Sequence, residues 1–388
     1  MDRQRRRVQR ECDRLNRERH VTETNHYSLR HFFSAAGNTM ISFGSANDRY
    51  QALISLISTS AVPIVILNGD VNLEAVLYSY FKEGHHGTFV RFSDESPRYN
   101  IFYRMTNQQI INYIRAVASN DGYINVNEIA QYTTGFLEIL NTYVAHVSLS
   151  SMKDMLGYTD QEIISFGRQK HVSENAINMI MINAGAGHNL RIIIDRILDA
   201  FSHLTQERCR GHFNLLSPKL TRHDVTLINV RSHDPFIVNH YFESELRLST
   251  TNYHLVVNEI DLLGNDGLRE AIEYRSQIQR VTLISHNVVG MMSGIDHLHQ
   301  FTSELLFTTD FAAIEGQQLL EQYGHYQYHF PTRTQMHQPR LIDLIPGTQT
   351  LVNTEDRLRV RLIDLNGFKA LLSHGLTQDV YLVRELRQ

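Results

Sequence analysis

The nine residues Leu255–Leu263, LVVNEIDLL, run an apolar segment directly into Asn258, Glu259 and, two residues on, Asp261. A buried strand ending in carboxylates is the arrangement that holds an acid over a magnesium ion and over the water that attacks a phosphoryl group. Such chemistry needs a second half. A loop of backbone N–H groups must open a helix and cradle the phosphates, with a lysine for their charge and a hydroxyl for the metal. Many buried parallel strands end in polar loops without any catalysis, so the strand alone does not assign a site.

The matching loop is expected after the first strand, and a candidate stands there. Gly44–Gln51, GSANDRYQ, has the length of the G-x-x-x-x-G-K-[ST] pattern, which makes Gly44, Ser45, Asn47, Arg49, Tyr50 and Gln51, together with Asn258, the candidate nucleotide-binding set. The set is degenerate. Arg49 replaces the second glycine and puts a side chain where the backbone must approach phosphate. Tyr50 replaces the lysine and cannot neutralise phosphate charge, and Gln51 lacks the metal-binding hydroxyl. Asn258 stands where the magnesium-holding strand would carry an acid, so both halves of the site are altered together.

The elements that must position these residues alternate. Short apolar runs at Thr39–Phe43, Val62–Asp70 and Gly87–Asp94 read as strands, separated by helical patterns at Ala52–Thr59 and Leu73–Phe81. Residues 106–222 lose the strand signal and read as an all-helical insertion, in which SLSSMKDML places a serine and an aspartate for a cap and first turn. The alternation then resumes. Val225–Val230, Tyr253–Glu259, Val281–Ser285 and Glu304–Thr308 read as strands, with helices at Phe236–Leu248, Gly267–Gln277, Val288–Gln300 and Asp310–Gly324. From Leu341, LIDLIPGTQTLVN and RLRVRLIDL read as a closing hairpin with a turn at Pro346-Gly347, followed by a short helical tail. The expected fold is α/β: a RecA-like, mainly parallel sheet flanked by helices, with an inserted helical domain. The expected parts are an Arg-rich arm at 1–37, a first RecA-like part at 38–105, the insertion at 106–222 and a second RecA-like part at 223–388.

With 388 residues the chain can bury a full core, and a net charge of −4 gives no overall pull toward nucleic acid or an anionic membrane. Basic charge is instead local: Met1–His20 holds eight arginines against four acids, and Arg3, Arg5, Arg6, Arg7 and Arg10 are candidate DNA contacts. Two cysteines fit a reducing compartment, and the serine-rich window Ala52–Leu67 suits a helix and strand rather than a membrane span. No metal site is expected. Cys209 with His212 is a lone pair, and His297 and His299 point to different faces of a helix. The Gly185-Ala186-Gly187 run lacks the third glycine of a dinucleotide fingerprint and reads as a turn between helices.

Taken in order, the strand-loop-helix at Thr39–Thr59, the NGD at Asn68–Asp70, the SPRYN at Ser96–Asn100, the helical insertion and VNEIDLLGNDGLREAIEYRSQIQRVTLISHN resemble the coupling-protein ATPases of type IV secretion and conjugation systems, within the FtsK and HerA-like motors. The resemblance covers about Thr39–Leu365. It implies that Glu259 matches the catalytic glutamate, Arg275 the arginine that reaches a neighbour's nucleotide, and Ser285 with His286 the sensor pair. Combined with the degenerate loop, it leads to the expectation of a pseudo-ATPase scaffold with no cofactor. The alternatives are an atypical motor using ATP and magnesium, and a nucleic-acid adaptor using the arm. Expected partners are proteins of a secretion or DNA-transfer complex, an active ATPase paralogue among them. The expected place is the cytoplasm, at the periphery of a membrane-bound machine.

Overall fold

The computed structural model describes residues 38–42, 46–83, 87–92, 99–122, 124–205, 211–259 and 266–285, and six further strands between 304 and 383. The chain begins with β1 (Thr39–Ser42), α1 (Ala46–Thr59), β2 (Ile64–Asn68), α2 (Leu73–Lys82) and β3 (Phe89–Phe92). The helical insertion follows: α3 (Asn107–Ser119), α4 (Val126–Leu140), α5 (Leu149–Met155), α6 (Asp160–Gln169), α7 (Glu174–Ile182), α8 (Ala186–Ala200) and α9 (Ser202–Thr205). The sheet resumes with β4 (Val225–Asn229), α10 (Pro235–Leu248), β5 (His254–Asn258), α11 (Asp266–Ile278), β6 (Val281–Ser285) and β7 (Glu304–Thr308). The last strands are β8 (Tyr326–Phe330), β9 (Arg333–His337), β10 (Arg359–Ile363), β11 (Ala370–Ser373) and β12 (Val380–Val383).

Ten strands form one sheet in the order β12-β11-β10-β7-β1-β6-β5-β2-β4-β3, and β8 and β9 form a separate antiparallel pair. From β10 to β3 every neighbouring pair is parallel. The reason lies in the sequence of the middle strands. IVILN and HLVVN are apolar on both faces, and every residue of β2 and β5 is buried, as a strand covered by helices on both sides requires. β5 lies between β6 and β2, and Asn68 stands opposite Asn258 in register. That register brings the carboxyl ends of β2 and β5 together.

Three expectations are corrected here. Helix α1 starts at Ala46, so Asn47, Arg49, Tyr50 and Gln51 are helical rather than part of a loop, and only three residues join β1 to α1. The strand in RLRVRLIDL is not paired with the segment before it, because both its edges are taken: β7 in parallel on one side and β11 antiparallel on the other. The described residues of the tail are extended, not helical. ALLS and VYLV pair with each other as β11 and β12 and close that side of the sheet. The arm at Met1–His20, the helices expected at Val288–Gln300 and Asp310–Gly324, the turn at Pro346-Gly347, and Gly44, Ser45, Asp261 and His286 lie outside the described residues.

The insertion packs on itself through Tyr132, Phe136, Ile139, Ile180 and Ile193. Helices α3 to α7 start with side-chain caps. Thr106 and Gln109, and Thr159 and Glu162, exchange capping-box hydrogen bonds, and Ser148 does so with Ser151. Ser148 is thus the cap expected in SLSSMKDML, whereas Asp154 falls in the last turn of α5. Gly185 takes φ +96° at the start of α8, the turn that the glycine pair implies.

Two passages of chain connect sheet and insertion, and they are fastened together. Asn100 N donates to Phe213 O at 2.9 Å, and Asn214 Nδ2 donates to Tyr103 O at 2.6 Å. Between them sits the wholly buried Glu245 of α10, which accepts from Tyr99 Oη at 2.6 Å on the outgoing passage and from Leu215 N at 2.9 Å on the returning one. Burial pushes the Glu245 carboxyl up to about 8, against the opposing effect of these donors, so it is a protonated bolt at neutral pH.

Candidate functional site at the ends of the central strands

The residues expected to do chemistry meet where β2, β5 and α1 converge, and one guanidinium organises them. Arg49 is 2% exposed; its Nη2 lies 2.6 Å from Asp70 Oδ2 and its Nη1 3.3 Å from Glu259 Oε1. It is therefore an internal cation between two carboxylates. Tyr50 donates its hydroxyl to the same Asp70 Oδ2 at 2.8 Å, and the Arg49 guanidinium lies 5.4 Å from the Tyr50 ring centre. Partial burial, then the bond to Asp70, raises the Tyr50 pKa, which keeps its proton on the donating side.

The strand ends are locked by amides. Asn258 Nδ2 donates to Asn68 Oδ1 at 2.8 Å, and Asp70 N donates to the same oxygen at 3.1 Å. Asn68 Nδ2 returns a bond to Asp70 O at 2.7 Å, and Gly69 N donates to Asn258 O at 3.2 Å. Asn258 is fully buried. Its amide thus ties β5 to β2, a bond that an ionised acid, which can only accept, would not supply. Just beyond the strand end, Glu259 adopts φ 69°, a left-handed conformation uncommon for a residue with a Cβ.

The structure brings Arg49, Tyr50, Asn258 and Glu259 together and adds Asp70 and Asn68, which the sequence offered only as the NGD landmark. The signal that identifies Asp70 is topological: it follows the strand that pairs with β5, two residues past the position opposite Asn258.

Arg275 is not part of this cluster and does not reach outward. It is 1% exposed, and its Nη1 donates to Ser249 O at 2.7 Å. Its Nη2 donates to Thr251 O and, at 2.9 Å, to Gln279 Oε1. The guanidinium lies 4.0 Å from the centre of the Tyr253 ring. Burial lowers its pKa, and its two Nη groups donate to carbonyls of the loop between α10 and β5 and to the Gln279 side chain. In the single chain the Arg275 side chain pins a loop of its own chain. Ser285 is the last residue of β6.

A ten-stranded, largely parallel sheet with helices around it, a helical domain inserted between β3 and β4, and polar residues gathered at the carboxyl ends of the central strands define a RecA-like fold. Among solved structures, the chain has the coupling-protein fold. It is similar to plasmid coupling protein TrwB in complex with ADP and Mg2+, at 12% identity and a TM-score of 0.51, covering 95% of this chain and 90% of that one. It is also similar to TrwB with the GTP analogue GDPNP, at 10% identity and a TM-score of 0.50, covering 97% and 92%. No protein-family model and no curated protein matches the chain by sequence. At these identities the likeness is one of fold. Among the described residues no helix is long and apolar enough to cross a membrane, and no group of three or more potential ligands could hold a metal ion.

Proposed function

We propose that the chain is a catalytically inactive scaffold of coupling-protein type, acting through protein contacts in a secretion or DNA-transfer assembly. The observation that carries this reading is the buried Arg49 between Asp70 and Glu259. ATP and magnesium, which a RecA-like fold implies, do not fit the residues present. The helix starts three residues after β1, leaving no room for an eight-residue phosphate loop, and the position of the phosphate-binding lysine is a tyrosine bonded to Asp70. Asn258, committed to Asn68, stands where the central strand would carry an acid, and the Glu259 carboxylate faces a guanidinium of its own chain. The fold likeness to a plasmid coupling protein supports the assembly role. An active ATPase paralogue is a fitting partner for a chain whose own site is closed by an ion pair, at the cytoplasmic periphery of a membrane-bound machine.

A hydrolytic reading draws on one feature, the left-handed backbone at Glu259, since such conformations gather at functional sites. Calorimetric titration with magnesium-ATP and a hydrolysis assay separate the two, with Glu259→Gln as the control. The scaffold reading expects neither saturable binding nor turnover above the control. Micromolar binding with turnover that disappears in Glu259→Gln overturns it.

A further inference from the structure

The helical insertion contains a cavity of about 550 Å³ between the end of α4, α5 and α6, bounded on one side by His212 of the returning passage. That volume lies within the range of small-ligand sites. One wall is aromatic. Phe166 packs edge-on against Tyr143 and Tyr158, with ring centres 6.0 and 5.1 Å apart, and both tyrosines remain open to solvent at 42% and 51% exposure. Tyr143 is fixed by its hydroxyl, which donates to Phe166 O at 3.1 Å. The other lining groups include Asp154 and the edge-to-face pair His146 and His212, 4.9 Å apart.

Aromatic faces are electron-rich, and a carboxylate beside them adds negative charge. A planar, weakly hydrated cation gains from both: it stacks on the rings and donates hydrogen bonds in a fork that a carboxylate accepts. The Lys170 ammonium lies 5.1 Å from the Tyr143 ring centre, so that ring already holds a cation and the Tyr158 ring is the one left for a ligand. The ligand class that fits is a guanidinium.

The chain has a concentrated source of that group. Met1–His20 holds eight arginines and four acids, so the rest of the chain, with 29 basic and 37 acidic side chains, is the oppositely charged body. Residues 20–37 can span roughly 60 Å when extended. A body of this length has a radius of gyration of about 21 Å. The segment therefore reaches any face of its own molecule. We propose that the cavity is a guanidinium site whose occupant is an arginine of the chain's own Met1–His20 segment.

The test uses full-length protein in which Arg3, Arg5, Arg6, Arg7, Arg10, Arg14, Arg17 and Arg19 are each replaced by Gln, titrated by calorimetry with a synthetic peptide of residues 1–20. Saturable binding is expected, weakened about tenfold or more when citrulline replaces arginine in the peptide, as loss of a cation–π contact and a charged hydrogen bond implies. Tyr158→Ala and Asp154→Asn, both at exposed side chains, are expected to weaken binding by about fivefold or more without moving the unfolding midpoint. The natural chain, with its own segment in place, is expected to bind the peptide least. Three results overturn the proposal: no binding, equal affinity for the citrulline peptide, or affinity unchanged by both cavity substitutions. A peptide that binds duplex DNA and not the protein also overturns it and assigns the segment to nucleic acid.

Discussion

Replacing Arg49 with alanine is the most direct probe of the ion-pair cluster at the strand ends. The substitution leaves Asp70 and Glu259 without their shared cation, and removing one partner of a buried pair costs about 3–5 kcal/mol. The geometry places the expected loss at the lower end. Asp70, 5% exposed, would keep the Tyr50 hydroxyl at 2.8 Å and the Asn72 N–H at 2.9 Å as donors, so its desolvation is partly met. Glu259, with 16% of its side chain exposed and a longer 3.3 Å contact, recovers hydration readily and adds little. A loss of about 3 kcal/mol in unfolding free energy is therefore expected from urea denaturation. The neutral triple variant Arg49→Met, Asp70→Asn, Glu259→Gln should return to within about 1 kcal/mol of the natural protein, because a buried ion pair is replaceable by matched neutral groups while an orphaned charge is not. A loss below about 1 kcal/mol for Arg49→Ala would equal that of a surface ion pair and refute the description of Arg49 as the internal cation of the site.

Two further outcomes follow from the buried ionisable groups. Glu245 keeps its proton in the folded chain up to about 8, whereas the unfolded side chain ionises near 4.5, so the unfolded state binds fewer protons in that window and stability falls as pH rises through it, by up to about 1.4 kcal/mol per pH unit. Glu245→Gln should remove this contribution to the slope, and denaturation curves at several values between pH 5 and pH 8 that run parallel for variant and natural protein would contradict the assignment. Arg275→Met should destabilise the chain by about 2–4 kcal/mol, because the carbonyls of Ser249 and Thr251 lose their donors. An outward-reaching arginine would instead be replaceable with no change in the unfolding midpoint.

The alternation of strands and helices was open to reading because each strand is a short apolar run bounded by polar turns; β6 and β7 begin and end where the pattern says. The start of α1 was not, since Asn47 and Asp48 look like loop residues although both suit the first turn of a helix. ALLS and VYLV are too short for periodicity to separate strand from helix, and only their place beside β10 decides. At the site, the sequence marked Asn258, Arg49 and Tyr50 as departures from a phosphate-binding pattern. The ion pair was hidden, because the contact between Arg49 and Asp70 depends on where β2 and α1 sit in the fold and not on any local pattern. The inward turn of Arg275 was equally invisible: charged residues are rarely buried, and the carbonyls that make its burial tolerable belong to a loop about 25 positions earlier.

The fastening of the two passages at Glu245 bears on how the chain folds. β3 and β4 pair in parallel although the whole helical insertion separates them in sequence. Closing an unstructured loop of that length costs about 4 kcal/mol in chain entropy before any strand contact offsets it. An insertion that folds first brings Asn100 and Phe213 within a hydrogen bond of each other and shortens the effective loop to the stretches from Phe92 to Asn100 and from Phe213 to Val225. Assembly order is thus built into the joint: the local, helical contacts come early, and the long-range sheet register is completed on ends that the insertion has already brought together.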